Sequence, residues 1–151
     1  MTLRKIIQDY LAIFLAGLFL ALDLIYDVSS ALDMERVMEK SIDIASISFG
    51  FLLAVLALLI QGENAALTRI KASGTYPKLI ILNKKAVLAS GLLVILSLLY
   101  LGFKLDKLDL EAMSLNLSEV LNSLVISVLI YQLAVVFSFL DIFYYIIKQE
   151  S

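Results

Sequence analysis

The chain has 151 residues, a formal net charge of −2, 62% hydrophobic residues, and neither cysteine nor histidine. Soluble globular proteins average about 45–50% apolar residues, and a chain of this length has too much surface to bury such an excess, so an ordinary soluble domain is excluded. The missing residue types exclude thiol nucleophiles, structural zinc sites, histidine-ligated haem and histidine general bases.

Four apolar stretches follow one another along the chain, at about residues 6–26, 44–60, 80–103 and 120–147. Each is long enough to cross a bilayer as a helix, for which roughly 17–25 residues suffice. Helix is predicted because a lipid-exposed backbone must satisfy its own hydrogen bonds, and the runs are too continuously apolar for barrel strands. The first stretch lacks a small-x-small cleavage site, so we interpret it as a retained span. The sequence therefore predicts an all-α polytopic membrane protein, a bundle of four transmembrane helices forming one domain over residues 1–151.

The connections between these spans alternate in charge. Acidic residues predominate in residues 27–43 and 104–119, whereas residues 61–85 are basic. Eight of the twelve Lys and Arg residues fall on the side of the membrane that holds the N-terminus, the middle connection and the C-terminus. Because cytoplasmic loops carry the excess of Lys and Arg, this side is predicted to be cytoplasmic.

The middle connection is predicted to form a cytoplasmic helical hairpin between the second and third spans. Residues 61–72 contain no proline and keep helix-forming residues, so the second helix is expected to continue to about Ala72. Ser73 and Gly74 then end it, with Gly74 as a left-handed cap, and Pro77 suits the first turn of the next helix.

The fourth span carries small and polar residues along one face. At 100° per residue they fall within an arc of about 80°, and we name them the fourth-span stripe: Ser123, Ser127, Tyr131, Ala134, Ser138, Asp141 and Tyr145. Such residues most often form packing seams between membrane helices, but they also line polar paths for ions, and both interpretations stay open. Gln132 lies on the opposite face and needs a partner of its own.

The other spans carry similar faces. The second span predicts a helix-packing face, which we name the small-residue face: Ser46, Gly50, Ala54 and Ala57. The third span offers Ala86, Ser90 and Ser97, and the first aligns Asp9, Ala12, Ala16 and Asp23. Asp9 and Asp141 fall near the inner membrane boundary and Asp23 near the outer one. These carboxylates are expected either to be solvated or to form charged rings at a cation-selective mouth.

Five basic residues of the middle connection form a second candidate site, for a partner or for lipid: Arg69, Lys71, Lys78, Lys84 and Lys85. Setting the membrane topology is their common role, and the alternative is binding of anionic lipid or of an acidic cytoplasmic partner. No phosphate-binding loop, dinucleotide fingerprint or metal-ligand cluster accompanies them. The sequence therefore predicts no enzyme, no cofactor, no metal and no nucleic-acid partner.

The predicted hairpin carries a motif that begins in the second span: Leu59-Ile60, Leu67, Arg69-Ile70-Lys71, Gly74 and Tyr76. It resembles the RexB-type family of small bacterial and prophage membrane proteins, in which a small-residue span ending in Leu-Ile leads, at matching spacing, to Leu-x-basic-Ile-basic and a Gly near a Tyr. The sequence departs from the family at residues 61–64, where the family is more basic, and its first and last spans show no comparable match. The resemblance implies an anti-phage effector that opens as an ion channel when a cytoplasmic sensor protein detects infection.

Three functional hypotheses follow. The first is a gated, homo-oligomeric pore among the lipids of a bacterial inner membrane, with the fourth-span stripe along its path and Arg69, Lys71 and Lys78 receiving the trigger. The second is a non-conducting anchor or regulatory subunit for a partner protein, in which the stripes only pack. The third is a small lipid- or metabolite-binding membrane protein with a lateral groove.

Overall fold

The structure, a computed structural model, describes residues 3–26, 28–62, 68, 71–72, 74, 76–103 and 117–149. Within these residues the chain forms four long helices: α1 (Leu3–Tyr26), α2 (Met34–Gln61), α3 (Tyr76–Phe103) and α4 (Leu117–Gln149). A short 3₁₀ turn, Val28–Ala31, connects α1 to α2. The predicted all-α architecture of four helices is confirmed.

Three of the helices are long and apolar enough to cross a membrane: Met34–Gln61, Tyr76–Gly102 and Glu119–Tyr144. The apolar part of α1 that the structure describes in full, Tyr10–Tyr26, is shorter. Large aliphatic and aromatic side chains remain exposed along all four helices, among them Phe14, Ile47, Ile95 and Phe137. By helix length and hydropathy the chain fits a multi-pass membrane protein, because lipid can solvate these side chains.

Helix α2 begins at Met34, well before the apolar stretch that starts near Ile44. Asp33 is its N-cap residue, and the carboxylate accepts a hydrogen bond from the backbone N–H of Arg36 at 3.3 Å. Glu35 in the first turn adds a favourable charge at the positive end of the helix dipole. Much of the acidic connection is therefore helical.

Helix α2 ends at Gln61, so the prediction that it continues to Ala72 is wrong. Gly62 is extended, with φ −66° and ψ 136°, because glycine loses more backbone entropy in a helix than other residues. The chain is helical again at Lys71 and Ala72. Gly74 lies in a turn without the predicted left-handed conformation.

Helix α3 begins at Tyr76, which confirms Pro77 in its first turn. Among the described residues α3 packs along α2 on one side and along α4 on the other, and α4 packs along α1. The helices therefore lie in the order α2, α3, α4, α1. Buried side chains join α2, α3 and α4 in two clusters, one containing Leu52, Leu59, Leu79 and Phe139 and the other Met38, Ala45, Leu93 and Val125.

Candidate functional site

The fourth-span stripe turns toward the interior of the protomer at its N-terminal end. Ser123 and Ser127 are buried, Tyr131 and Ser138 are half-buried, and Asp141 is exposed. The side chain of Tyr145 lies outside the residues whose surroundings the structure describes. The stripe thus changes from buried to exposed along α4, and its first members contact a neighbouring helix.

That contact is a hydrogen bond to the buried carboxylate of Asp23 on α1, whose side chain is only 2% exposed. Ser123 Oγ lies 2.5 Å from one Asp23 oxygen, and the backbone N–H of Ser29 donates to the other oxygen at 2.6 Å. The carboxylate therefore joins α1, the 3₁₀ turn and α4. The predictions of a solvated Asp23 and of Asp23 in a charged ring are both wrong, because these bonds hold the carboxylate inside the protomer.

The remaining serines of the stripe bond within their own helix. Ser127 Oγ donates to the carbonyl of Ser123 at 2.7 Å, and Ser138 Oγ donates to the carbonyl of Ala134 at 2.8 Å. A hydroxyl has one hydrogen to donate, so both donors are occupied along α4.

The small-residue face of α2 is exposed at all four positions, so its packing against another helix stays a prediction. Around Gly50, no atom lies within 4 Å of where a Cβ would sit. Helix α2 instead buries its other side, on which Ala45, Leu52 and Leu59 lie. On α3, Gly91 faces the ring of Phe49 from α2, which lies 3.5 Å from the position of a Cβ and so in ordinary van der Waals contact.

The small and polar residues predicted for the third span, Ala86, Ser90 and Ser97, are all fully buried. Gln132 of α4 is fully buried as well, and its Nε2 donates to Ser90 Oγ at 3.2 Å. The expectation that Gln132 needs a partner is confirmed. This bond joins α3 to α4 inside the apolar region, where an unpaired amide is costly.

Asn83 is a buried polar residue that the sequence analysis missed. Its Nδ2 donates to the carbonyl of Leu52 at 3.1 Å and joins α3 to α2. The signal was hidden because Asn83 is followed directly by Lys84 and Lys85, so it looked like part of a solvated helix end. Because Asn83 is buried while Lys84 and Lys85 are exposed, α3 already packs against α2 within the basic segment.

The basic residues divide into two groups, and Arg69 lies outside the described residues. Lys71 Nζ donates to the carbonyls of Ile60 at 3.1 Å and Gly62 at 2.8 Å, and so satisfies carbonyl groups that a helix end leaves open. The Tyr76 hydroxyl donates to the carbonyl of Leu59 at 3.2 Å in the same region. Lys71 is therefore engaged within the chain.

On α3, Lys78 is half-buried and makes an interaction of its own. Lys84 and Lys85 are exposed. Among the side chains whose surroundings the structure describes, neither of these two lysines has an ion-pair partner. Of the five predicted basic residues, Lys84 and Lys85 are thus the ones that the structure shows open to a ligand.

Replacing Lys71 by methionine is expected to fray the last turn of α2. The lysine contributes two hydrogen bonds to terminal carbonyls, worth about 1 kcal/mol together in an exposed position. Hydrogen exchange of the amides in residues 58–61 is expected to accelerate about fivefold, measured by mass spectrometry in detergent. Lys84→Met, which removes an exposed lysine without such bonds, should leave this exchange unchanged. Equal acceleration in both variants would contradict the role of Lys71 in capping α2.

A lateral groove of about 530 Å³ separates α1 from α3 and has α4 as its floor. Most of its lining is aliphatic, and its polar members are Lys85, Ser127 and Tyr131. A smaller cavity shares Lys85 and Tyr131 with the groove and adds Ser138. Part of the fourth-span stripe therefore lines this groove, which the sequence could not place.

No protein family model, no characterised protein and no solved structure matches the chain. Among the described residues no group of three acidic side chains could hold a metal ion. The resemblance to the RexB-type family consequently depends on the motif around the end of α2. Two residues of that motif, Lys71 and Tyr76, donate hydrogen bonds to the backbone carbonyls of Ile60 and Leu59.

Proposed function

We propose that the chain is a four-span protein of a bacterial inner membrane, with both termini and the connection between α2 and α3 in the cytoplasm. The charge bias of the connections supports this topology. Three helices meet the length for a span, and α1 runs beside α4 as the fourth. The acidic N-terminal end of α2 would then project on the outer side.

Its function, in this proposal, is that of a gated, ion-conducting membrane effector that conducts as an assembly of copies. The observation that carries this proposal is the exposed small-residue face of α2. Small residues on a membrane helix allow another helix to approach closely, and this face has no partner helix among the described residues. Because the serines of the fourth-span stripe bond within the protomer, the path is proposed to form between copies, with Asp141 near its inner mouth.

The resemblance to the RexB-type family suggests what the effector is for. Depolarisation of the inner membrane during phage infection is the role that the resemblance implies, with a cytoplasmic sensor protein as the trigger. The exposed Lys84 and Lys85, with Lys78 beside them on α3, supply a positive surface on the cytoplasmic side of the proposed topology. An acidic sensor surface would complement it.

Assembly through the small-residue face can be tested by cross-linking, because the chain contains no cysteine. Ala54→Cys places a single thiol on the face, and Leu53→Cys places one on the neighbouring exposed position. In vesicles treated with an oxidant, Ala54→Cys is expected to give a disulfide-linked dimer and Leu53→Cys to stay monomeric. Equal cross-linking of both variants would indicate random collision and would reject this interface.

Conduction is tested in the same vesicles with a potential-sensitive dye. Wild type is expected to dissipate an imposed ion gradient, and Gly50→Leu, which blocks close approach of a second helix, is expected to lose both dimer and flux. Ile47→Leu is the matched control, since residue 47 is exposed on α2 outside the small-residue face. Unchanged ion flux in Gly50→Leu would refute the proposal that conduction needs this interface.

A non-conducting anchor or regulatory subunit is the alternative function. The observation that favours it is that the hydroxyls of Ser123, Ser127 and Ser138 all donate hydrogen bonds within the protomer. Cross-linking of Ala54→Cys in vesicles that stay sealed, together with retention of a stoichiometric partner by the basic surface of α3, would favour this alternative.

A further inference from the structure

The lateral groove has a polar end and an apolar end. Lys85 of α3, Tyr131 of α4 and Ile13 of α1 lie where the groove meets the smaller cavity. Leu92 of α3 and Leu124 of α4 lie at the other end. A single cation therefore marks one end of a mostly aliphatic surface.

The dimensions of the groove fit part of one membrane leaflet. Lys85 and Leu92 are seven residues apart on α3, which corresponds to about 10 Å along a helix. The hydrocarbon region of one leaflet is about 15 Å thick. A groove that starts at Lys85, on the basic side of the protein, thus ends near the middle of the bilayer and can follow an acyl chain over most of one leaflet.

The positive charge at the polar end of the groove distinguishes anionic lipids from zwitterionic ones. Lys85 is exposed, and it has no ion-pair partner among the side chains whose surroundings the structure describes. A lysine close to the membrane surface attracts anionic headgroups, and its aliphatic stem can lie along the groove wall while the ammonium reaches the phosphate. A zwitterionic lipid offers the same acyl chain without the net negative charge.

From this geometry we infer that the groove between α1, α3 and α4 is a binding site for one anionic phospholipid of the inner leaflet. One acyl chain lies along the groove from Ile13 toward Leu92, and the headgroup phosphate accepts hydrogen bonds from Lys85, with the Tyr131 hydroxyl beside it. The site does not include the small-residue face of α2, because its lining comes from α1, α3 and α4. It requires only that Lys85 lies at a membrane surface.

The test uses the absence of tryptophan from the chain. Leu92→Trp provides a fluorescent reporter in the groove, and Leu124→Trp is a second reporter in case the first disturbs the groove. Phe51→Trp is the control, because residue 51 is exposed on α2 at a similar depth, two residues from Phe49, whose ring meets Gly91 of α3. Each variant is reconstituted in phosphatidylcholine vesicles with a minor fraction of either brominated phosphatidylglycerol or brominated phosphatidylcholine.

Bromine quenches tryptophan on contact, so the quenching reports which lipid occupies the groove. We expect the groove reporters to select phosphatidylglycerol about fivefold over phosphatidylcholine, the ratio that corresponds to about 1 kcal/mol for one lysine at the surface. Lys85→Gln should abolish this selectivity, whereas Lys84→Gln, the adjacent exposed lysine outside the groove, should keep it. Phe51→Trp should show no selectivity in either background.

Two results would overturn the inference. Equal quenching of the groove reporters by both lipids would mean that any acyl chain enters and that Lys85 does not select. Weaker quenching of these reporters than of Phe51→Trp by both lipids would mean that a polypeptide, such as a second copy, covers the groove in place of lipid.

Discussion

Replacement of Asp23 by alanine is expected to lower the free energy of unfolding by about 2–3 kcal/mol, the cost typical of losing hydrogen bonds to a charged buried group. The variant removes the acceptor for Ser29 N–H and for Ser123 Oγ at once. It leaves the Ser29 amide buried without a partner, because water has little access there. The measurement is equilibrium unfolding in detergent micelles, followed by circular dichroism.

Two buried serines of α4 distinguish the loss of the hydrogen bond to Asp23 from the general effect of removing a serine hydroxyl. Ser123→Ala removes the bond to Asp23 together with a bond to the carbonyl of Glu119 in its own helix, whereas Ser127→Ala, one turn further along α4, removes only a bond to its own helix. We expect a loss of about 1–2 kcal/mol for Ser123→Ala, and a change near zero for Ser127→Ala because such back-bonding contributes little. A double-mutant cycle of Asp23→Asn with Ser123→Ala should show coupling of about 1 kcal/mol. Equal losses for the two serines would refute the inter-helix contact.

The number and approximate position of the helices could be predicted from the sequence. Long apolar runs mark the spans, and a backbone in lipid must make its hydrogen bonds within its own helix. The buried face of each helix could not. In a soluble helix the apolar side marks the interior, but in a membrane protein the lipid-facing side is equally apolar. Small residues are then the main guide: Ala86 of α3 is buried within the protomer, whereas Ala54 of α2 is exposed.

The contact between Asp23 and Ser123 joins positions one hundred residues apart in sequence. Both residues stood out as polar members of apolar helices, but one sequence contains no information on which polar residue meets which. The same limit applied to Gln132, whose need for a partner was evident while Ser90 as that partner was not. Ser29 gave no signal, because its backbone N–H makes the bond, and every residue except proline carries one.

The end of α2 was missed for a different reason, since two local preferences competed there. Residues 61–72 contain good helix formers, and their summed propensity favours continuation. Gly62 nevertheless ends the helix, and the ammonium of Lys71 folds back onto the carbonyls that this break leaves open. The charge of Lys71 is visible in the sequence and suggests a partner, whereas its position at the end of α2 follows only from the fold.

Replacement of Phe139 by alanine is the second large expected effect, a loss of about 3 kcal/mol of unfolding free energy. Its ring is fully buried among side chains of α2, α3 and α4, and it stacks on Phe143 with centroids 5.7 Å apart. Because lipid is as apolar as the core, the loss comes chiefly from the cavity and from lost packing contacts and not from exposure to water. The measurement is the same detergent unfolding experiment.

Phe137→Ala is the matched control on the same helix, because that ring is 68% exposed on the outside of α4. Its removal opens no cavity, so the free energy of unfolding should change by less than about 0.5 kcal/mol. The contrast tests the orientation of α4 as a whole, since a rotation that buried Phe137 would also turn Ser123 away from Asp23 and Gln132 away from Ser90. A larger loss for Phe137→Ala than for Phe139→Ala would therefore refute the packing of α4 together with both inter-helix hydrogen bonds.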